Sequence, residues 1–354
     1  MFYRETGQFK TSYAADRAIF PIRQDLYGMG ILLLLALTVP FFVKEYWLSA
    51  ILIPFLVFSL AALGLNILTG YAGQLSLGAS AFMAVGAYTA WNISTRLPQV
   101  PLLVSFIAGG ITAAAYGMFI GIPSLRIKGF YLAVTSLAAV FLTEWIFTHI
   151  GWFYNYELSA TISTPEMVIA GIKFDTPIRR YYLTLIIVCL MALAAKNMMR
   201  CTIGREFMAI RDMDVAAEVI GIRMLRTKLV AFGISSFYLG VAGALYAFVY
   251  LRSVSAASFD LSESLHILFM IIVGGVGSIL GSFLGAAFIL LMPIFLNLGA
   301  HAVLGNSIDP QNLATLELMV FGGLIIFFLI AEPHGMARLW QIIKEKLRIW
   351  PFPH

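Results

Sequence analysis

The sequence predicts an all-α polytopic membrane protein of about ten transmembrane helices, and three observations predict it. Hydrophobic residues make up 60% of the 354-residue chain and charged residues only 12%, whereas soluble domains are about 45–50% apolar and about 25% charged. The apolar residues fall in runs long enough to cross a bilayer, which takes roughly 20 helical residues. Basic residues are concentrated at alternate ends of these runs, as in proteins that keep Lys and Arg in the cytoplasm.

Ten apolar runs divide the chain into a short N-terminal tail (1–27), a membrane domain (28–335) and a C-terminal tail (336–354). The first run is short, and the third, eighth and ninth are broken by glycine. Eight full spans remain the alternative, if two glycine-broken segments only dip into the membrane. The candidate spans are 28–43, 48–68, 74–95, 101–122, 129–150, 181–199, 228–251, 263–279, 281–299 and 316–332.

The basic residues predict the orientation. Both tails, the loop after the fourth span and the loop 200–227 with its flanks carry all but six of the 23 Lys and Arg residues. Cytoplasmic loops carry such an excess, so both termini and 200–227 are expected inside and the loop 151–180 outside. The six residues expected outside are Lys44, Arg96, Lys173, Arg179, Arg180 and Arg252.

The stretch 64–79 is polar and rich in glycine inside an apolar region. Lipid cannot hydrogen-bond such groups, so they must face protein or a water-filled path; the alternative is that small residues serve close helix packing. Ser76 and Ser80 are four residues apart and would share a helical face, with Gln74 pointing away. Small serines suit close helix packing, so we expect Gln74 and Asn66, rather than the serines, to lie nearest a translocation path. The predicted pathway residues are Asn66, Gln74, Ser76, Ser80 and, as the one plausible mid-to-outer membrane carboxylate, Glu144.

Glycines recur at matching positions of two possible halves. The third span is approached through Gly70, Gly73 and Gly78, and the eighth runs into a glycine-rich segment, 274–281. Spans one to five and six to ten would then form an inverted five-plus-five repeat, whose glycine-broken helices indicate a pathway near the midplane. The alternative is that glycine is simply common in transmembrane helices.

The cytoplasmic loop 200–227 predicts an amphipathic helix pair. Its apolar residues recur every three or four positions, as on one face of a helix. Such helices either rest on the bilayer, with Lys and Arg dominating the polar face, or dock on another protein. The polar face here holds both signs of charge, which favours a protein partner. The apolar residues are Ile203, Phe207, Ile210, Met213, Ala217 and Ile220.

The stretch 64–78, followed by 87–90, closely resembles the permease subunits of branched-chain amino acid type ABC importers. The resemblance runs in order over about residues 50–340. It implies the pore subunit of an ATP-driven importer in a bacterial cytoplasmic membrane, which moves a small polar or amphipathic solute inward, such as a branched-chain or other amino acid or a related amide or carboxylate. Further matching stretches are 123–126, 129–133, 204–221, 274–278, 285–287 and 331–335.

The resemblance also implies partners. These are a second related permease subunit, two ATP-binding cassette subunits that bind and hydrolyse ATP, an external solute-binding protein and the lipid bilayer; no cofactor in this chain and no nucleic acid are implied. Within the family, 204–221 resembles the segment that contacts the ATPase. The implied coupling residues are Gly204, Arg205, Phe207, Ile210, Arg211, Asp212, Ala217, Glu218 and Gly221.

The chain departs from the family pattern on its outer side. Many relatives carry Gly-Glu where this chain has Val140-Phe141, and a Gly-Gly-Pro-Asn-Gly-like turn where it has the aromatic-rich stretch 152–161. This stretch could suit an aromatic or apolar carboxylate, or could dock on a binding protein or lie in the interfacial belt. The sequence therefore leaves the substrate open.

Enzyme chemistry is not expected. No phosphate-binding Gly-x-x-x-x-Gly-Lys-[Ser/Thr] motif occurs, and the five histidines and two cysteines lack metal-ligand spacing. The competing transporter class is an ion-coupled secondary transporter, which usually places ionisable groups within the membrane. Only Glu144 is a plausible membrane carboxylate of this kind, so ion coupling is the alternative and an ABC importer the main prediction.

Overall fold

A computed structural model describes residues 11–12, 23–124, 131–156, 161–169, 171–304, 319–320, 322–323, 326–327, 330 and 335–349. The chain is a succession of helices that are joined, for the most part, by short loops. These helices are α1 Arg23–Phe42, α2 Glu45–Tyr71, α3 Ala79–Arg96, α4 Leu102–Ser124, α5 Tyr131–His149, α6 Pro177–Arg200, α7 Thr202–Asp212, α8 Asp214–Val219, α9 Met224–Leu251, α10 Leu261–Gly274, α11 Ile279–Leu304 and α12 Gly335–Ile349.

Seven helices in the described parts of the chain are long and apolar enough to cross a membrane. They are α2, α4, α5, α6, α9, α11 and α10 with the 3-10 turn Ala256–Phe259 before it. The predicted first span has a shorter apolar helix, Leu26–Phe42, and α3, with its Ser, Thr, Asn and Arg side chains, is not among the seven. Of the predicted tenth span, 316–332, only 319–320, 322–323, 326–327 and 330 are described, and 1–10, 13–22, 125–130 and 350–354 lie outside the described residues. A polytopic membrane protein is confirmed; the number ten is not.

Helix α9 lies at the centre of the bundle, packed against α2, α3 and α4. Glycines allow the close approach: a methyl group at Gly86 would overlap the backbone of Gly240, and one at Gly243 would overlap the backbone of Met83. Apolar side chains gain little by leaving lipid for protein, so membrane helices associate largely through such close contacts between small residues.

Two helices end in π-turns. Helix α2 ends with Ile67–Tyr71 and α9 with Tyr246–Leu251, and such turns are frequent at functional sites. These helices correspond to the second and seventh predicted spans, which would be counterparts in an inverted repeat. The shared ending accords with that repeat, which stays a prediction.

Four short strands lie outside the helices. Strand β1, Thr161–Ser163, pairs antiparallel with β4, Ser253–Ser255, and β2, Val168–Ile169, forms a hairpin with β3, Ile172–Lys173. The all-α prediction therefore holds for the membrane helices and not for the loop 151–180. The β1–β4 pair fixes that loop to the end of α9.

Candidate functional site

The third span starts later than predicted, because residues 72–78 are not helical. We call them the broken segment. Burial alternates along it, with Gln74 and Ser76 buried and Gly73 and Leu75 exposed. Alternation is the pattern of extended chain, in which side chains two residues apart share a side. The prediction that Gln74 and Ser76 point in different directions was therefore wrong, because it assumed a helix.

The backbone of the broken segment is held by protein groups. The backbone N–H of Gln74 donates to the Leu68 carbonyl at 3.0 Å, and the backbone N–H of Leu77 donates to the Ser136 hydroxyl of α5 at 2.8 Å. A glycine with φ +67°, Gly73, permits the turn that leaves α2. Non-helical chain at membrane depth is tolerated only inside protein or beside water, and these contacts meet the first condition.

Asn66 joins α2 to the turn 275–278 between α10 and α11. The fully buried side chain donates through Nδ2 to the Ser278 carbonyl and the Ser282 hydroxyl, both at 2.8 Å. Its Oδ1 accepts from the Gly277 amide at 2.8 Å. Both N–H donors are used within the chain, so Asn66 has none left for a solute.

Gly70 and Gly277 meet backbone to backbone, and we call this contact the glycine junction. A methyl group at Gly70 would overlap the Gly277 backbone, and Gly277 has φ +80°, so both positions require glycine. Arg211 of α7 reaches the same point, where its Nη1 donates to the Gly70 carbonyl at 3.1 Å. A neighbouring carboxylate, Asp212, accepts from Arg211 Nε at 2.9 Å. Helix α7 is thus attached directly to the π-turn that precedes the broken segment.

The other predicted pathway residues differ in their bonding. Neither amide atom of Gln74 has a hydrogen-bond partner in the described chain, although the side chain is buried. Ser76 accepts from the Gly78 amide at 3.3 Å, and the Ser80 hydroxyl lies 2.7 Å from that of Ser264 on α10. Gln74 is therefore the buried pathway candidate with hydrogen-bonding capacity to spare, whereas Ser76 bonds within the broken segment and Ser80 contacts α10.

Glu144 lies on the exposed face of α5. Phe141 and Trp145 are exposed on the same helix, whereas Thr143 is turned inward and bonds the Tyr116 hydroxyl at 2.9 Å. Nothing in the described part of the chain covers the face with Glu144.

The coupling segment α7–α8 turns part of its predicted apolar face inward. Phe207, Ile210 and Ala217 are buried within the chain, and Gly204 lies against the Met199 backbone, where a side chain would not fit. We expected Phe207 and Ile210 to fill a partner's groove; the structure instead gives them internal packing. The coupling residues with exposed side chains or backbone are Arg205, Arg211, Asp212, Glu218 and Gly221.

Other apolar side chains of α7–α8 and its flanks are exposed instead of buried. We call them the coupling surface: Met213 and Ile220, from the predicted apolar face, with Val215 and Val219. Val219 is 83% exposed. The helix break after Asp212 produces this change, because the residues that follow leave the helical face of Phe207 and Ile210. Beside the coupling surface, a cavity of about 530 Å³ opens between α7 and the start of α9.

The loop 151–180 is fixed to the end of α3. The Arg96 guanidinium stacks 3.9 Å from the Trp152 ring centroid and donates to the Trp152 carbonyl at 2.6 Å. Further along the loop, Lys173 Nζ lies 2.8 Å from Glu166 Oε2, which lowers the pKa of the Glu166 carboxyl and raises that of Lys173. Part of the aromatic-rich stretch, 157–160, lies outside the described residues.

Sequence reasoning missed several residues that build this site. The hydroxyls of Ser136, Ser264 and Ser282 bond to the broken segment, to Ser80 and to Asn66. Their signal is weak, because a serine in an apolar helix is equally typical of packing. Among the described residues no group of three or more His, Cys, Asp or Glu could hold a metal ion.

Three comparisons bear on this arrangement. A family model described as "Branched-chain amino acid transport system / permease component" matches residues 47–329. The chain is 25% identical over 342 residues to the "High-affinity branched-chain amino acid transport system permease protein LivM" of Escherichia coli K12, covering 89% of this chain and 75% of the relative. It is 24% identical over 345 residues to a probable LivM of Methanocaldococcus jannaschii, covering 85% and 96%. It is 26% identical over 210 residues to the autoinducer 2 import system permease protein LsrC of an Enterobacter species, covering 58% of each. No solved structure matches.

Proposed function

This chain belongs to the family of branched-chain amino acid transport system permease components, and we propose on that basis that it is the pore subunit of an ATP-driven ABC importer. The importer moves a small polar or amphipathic solute into the cytoplasm. Branched-chain amino acids are the first candidates, and other amino acids or a related amide or carboxylate come next. ATP is bound and hydrolysed on separate subunits.

The orientation follows from charge. Helices α7, α8 and α12 lie at the same end of the bundle as the glycine junction, since Arg211 bonds Gly70 and Gly335 lies against Gly275. The chain around these helices is rich in Lys and Arg, which supports a cytoplasmic location. The loop 151–180 and strand β4 then face outward, where a solute-binding protein would dock.

The observation that carries the proposal is the hydrogen bond between Arg211 and Gly70. An importer must convert a movement of its ATPase into a change in the path. Helix α7 bonds directly to the π-turn that opens the broken segment, and that segment carries the buried amide of Gln74. A shift of α7 would therefore move Gly70 and, four residues later, Gln74.

Gln74 and Glu144 are the residues we propose for the path. An unpartnered amide in an apolar environment costs roughly 2–7 kcal/mol, so Gln74 is best placed against a polar solute or water. Glu144 supports a second permease subunit, because a carboxyl group within a span faces a bundle interior or a water-filled cavity rather than lipid. The exposed face of α5 would meet that subunit across the path. Asn66 becomes a positioning residue, which holds α2 against the turn 275–278.

The ATPase contact is proposed for the coupling surface. Its four apolar side chains lie between the exposed charges Asp212, Asp214 and Glu218. A mixed apolar and acidic surface fits a protein groove better than an anionic bilayer. The cavity beside it offers room for a side chain of the partner.

Reconstitution tests the proposal. The permease is placed in proteoliposomes with its ATPase subunits and second permease, with the solute-binding protein outside and ATP inside. We expect uptake of labelled leucine, or of another amino acid from a panel, that requires ATP and is unaffected by ionophores. Uptake driven by an imposed proton or sodium gradient without ATP would establish the ion-coupled alternative instead.

A further inference from the structure

The C-terminal tail contains an ordered amphipathic helix, α12, that the predicted function does not use. Its first residue, Gly335, has φ +68° and lies against the backbone of Gly275 and Val273, too close for a side chain. The next two, Met336 and Ala337, pack onto the bundle. The helix therefore starts from the turn 275–278, to which Asn66 also bonds.

Beyond its first turn, α12 presents an apolar stripe that nothing in the described chain covers. Leu339, Trp340 and Ile343 are 38%, 45% and 47% exposed. With Met336 they follow the i, i+3, i+4, i+7 spacing of one helical face. The stripe continues from the packed first turn of the helix, where Met336 and Ala337 lie against the bundle.

The charges of α12 differ in kind from those of α7–α8. The helix carries Arg338, Lys344, Lys346 and Arg348 against a single acid, Glu345. Lys344 and Lys346 fall at either edge of the apolar stripe by helical spacing, where long basic side chains can cover apolar surface and keep their charge in water. A basic polar face with Trp and Leu opposite is the pattern of helices that lie in a membrane interface.

We propose that α12 is an interfacial anchor that binds the anionic lipid headgroups of the cytoplasmic leaflet. The apolar stripe would enter the boundary between headgroups and acyl chains, and the basic residues would contact lipid phosphates. Each such basic residue raises the affinity of a helix for an anionic leaflet by about fivefold, and by less at high salt. The mixed charge of α7–α8 suits a protein, whereas the charge of α12 suits a lipid surface.

The position of α12 gives this anchor a consequence for the bundle. Its start contacts Gly275, two residues from the Gly277 amide that Asn66 binds. Lipid binding by α12 would therefore hold the turn 275–278, and with it one side of the glycine junction, at a fixed depth.

Spin-label accessibility in the full-length permease tests the proposal. In a Cys189→Ser, Cys201→Ser background, one label is placed at Ile343→Cys on the stripe and a matched label at Gln341→Cys on the opposite face. In nanodiscs that contain phosphatidylglycerol, the label at 343 should collide more with oxygen than with an aqueous nickel chelate, and the label at 341 should show the reverse. Replacing phosphatidylglycerol by phosphatidylcholine should shift the label at 343 towards the chelate.

Charge variants separate lipid binding from other causes. Lys346→Gln with Arg348→Gln should reduce the partitioning of the helix into membranes that contain phosphatidylglycerol by about fivefold for each charge removed. Glu345→Gln should increase this partitioning. If the label at position 343 were equally protected from the aqueous chelate in both lipids, the proposal would be overturned. Protection that appears only when the ATPase subunits are added would overturn it too, in favour of a protein-docking helix.

Discussion

Arg211 and Gly70 are 141 residues apart in sequence, yet Arg211 Nη1 donates to the Gly70 carbonyl at 3.1 Å. The bond joins α7, in the basic loop 200–227, to the π-turn at the end of α2. Because the acceptor is a backbone atom, a movement of α7 acts on the chain itself rather than on a side chain that could rotate away.

Arg211→Gln should lower transport while leaving the permease folded and assembled with its ATPase. A hydrogen bond to a charged group contributes about 1.5–3 kcal/mol, so we expect a loss of tenfold or more in solute-stimulated ATP hydrolysis, measured in proteoliposomes. Asp212→Asn is the comparison variant, because it removes the exposed ion pair, which is worth about 0–1 kcal/mol, and keeps the arginine that bonds Gly70. Equal losses in the two variants would assign the effect to surface charge.

Gln74→Leu should lower uptake and leave stability unchanged or slightly raised. The amide has no partner in the described chain, and replacing an unpartnered buried amide by an apolar group of similar size removes a desolvation cost. Uptake is measured in proteoliposomes and the unfolding midpoint in detergent. A marked fall in that midpoint would mean that the amide holds the broken segment together.

Asn66→Leu, in contrast to Gln74→Leu, should lower the stability of the permease. It leaves the Gly277 amide without its partner, at about 1–3 kcal/mol for a buried unsatisfied group, and removes the bonds to the Ser278 carbonyl and the Ser282 hydroxyl, so the unfolding midpoint should fall clearly. Ser59→Ala is the matched control, since the Ser59 hydroxyl on the same helix is buried and has no partner among the described residues. An unchanged midpoint in Asn66→Leu would show that the bonds to the turn 275–278 are dispensable.

Val219→Asp should weaken association with the ATPase without unfolding the permease. The side chain is exposed on the coupling surface, and a carboxylate there would be desolvated on docking. Phe207→Ala should act differently, because removing a fully buried ring costs about 3–5 kcal/mol and should reduce the amount of folded protein. Co-purification measures association, and Val168→Asp in the β2–β3 hairpin should leave it intact.

Cysteines at Ser163 and Met213 should label from opposite sides of an intact membrane. Strand β1 carries the first position and the coupling surface the second, and the distribution of basic residues puts these on different sides. A membrane-impermeant thiol reagent added to right-side-out vesicles of a Cys189→Ser, Cys201→Ser variant should reach Ser163→Cys alone. Labelling of both positions from one side would contradict the topology.

Long apolar helices were predictable from the sequence and their interruptions were not. Helices α4, α6 and α9 match their predicted spans to within a few residues, because an uninterrupted apolar run is sufficient to indicate a span. The start of α3 was misplaced because Gly73 and the bond from Leu77 to Ser136 break the chain locally. That bond joins residues 59 apart, which no local pattern reports.

The candidate site shows the same limit. The sequence indicated Asn66 and Gln74 as polar groups at membrane depth, but only tertiary contacts distinguish the fully bonded amide from the unpartnered one. The apolar face of 203–220 was predictable, whereas its division between packed and exposed residues depends on the helix break after Asp212. Helix α12 was the avoidable omission, since the spacing of Met336, Leu339, Trp340 and Ile343 is visible in the sequence.

The bond from Arg211 to Gly70 also sets a thermodynamic condition on the proposed importer. If docking of the ATPase in one nucleotide state favours one arrangement of the broken segment, linkage requires a solute that favours the same arrangement to tighten that docking by the same factor. Couplings of this kind are typically about 1–3 kcal/mol, or 5–150-fold. Solute binding in the path and the nucleotide state of the ATPase would thus each affect the other, and the bond to the Gly70 carbonyl would transmit both effects.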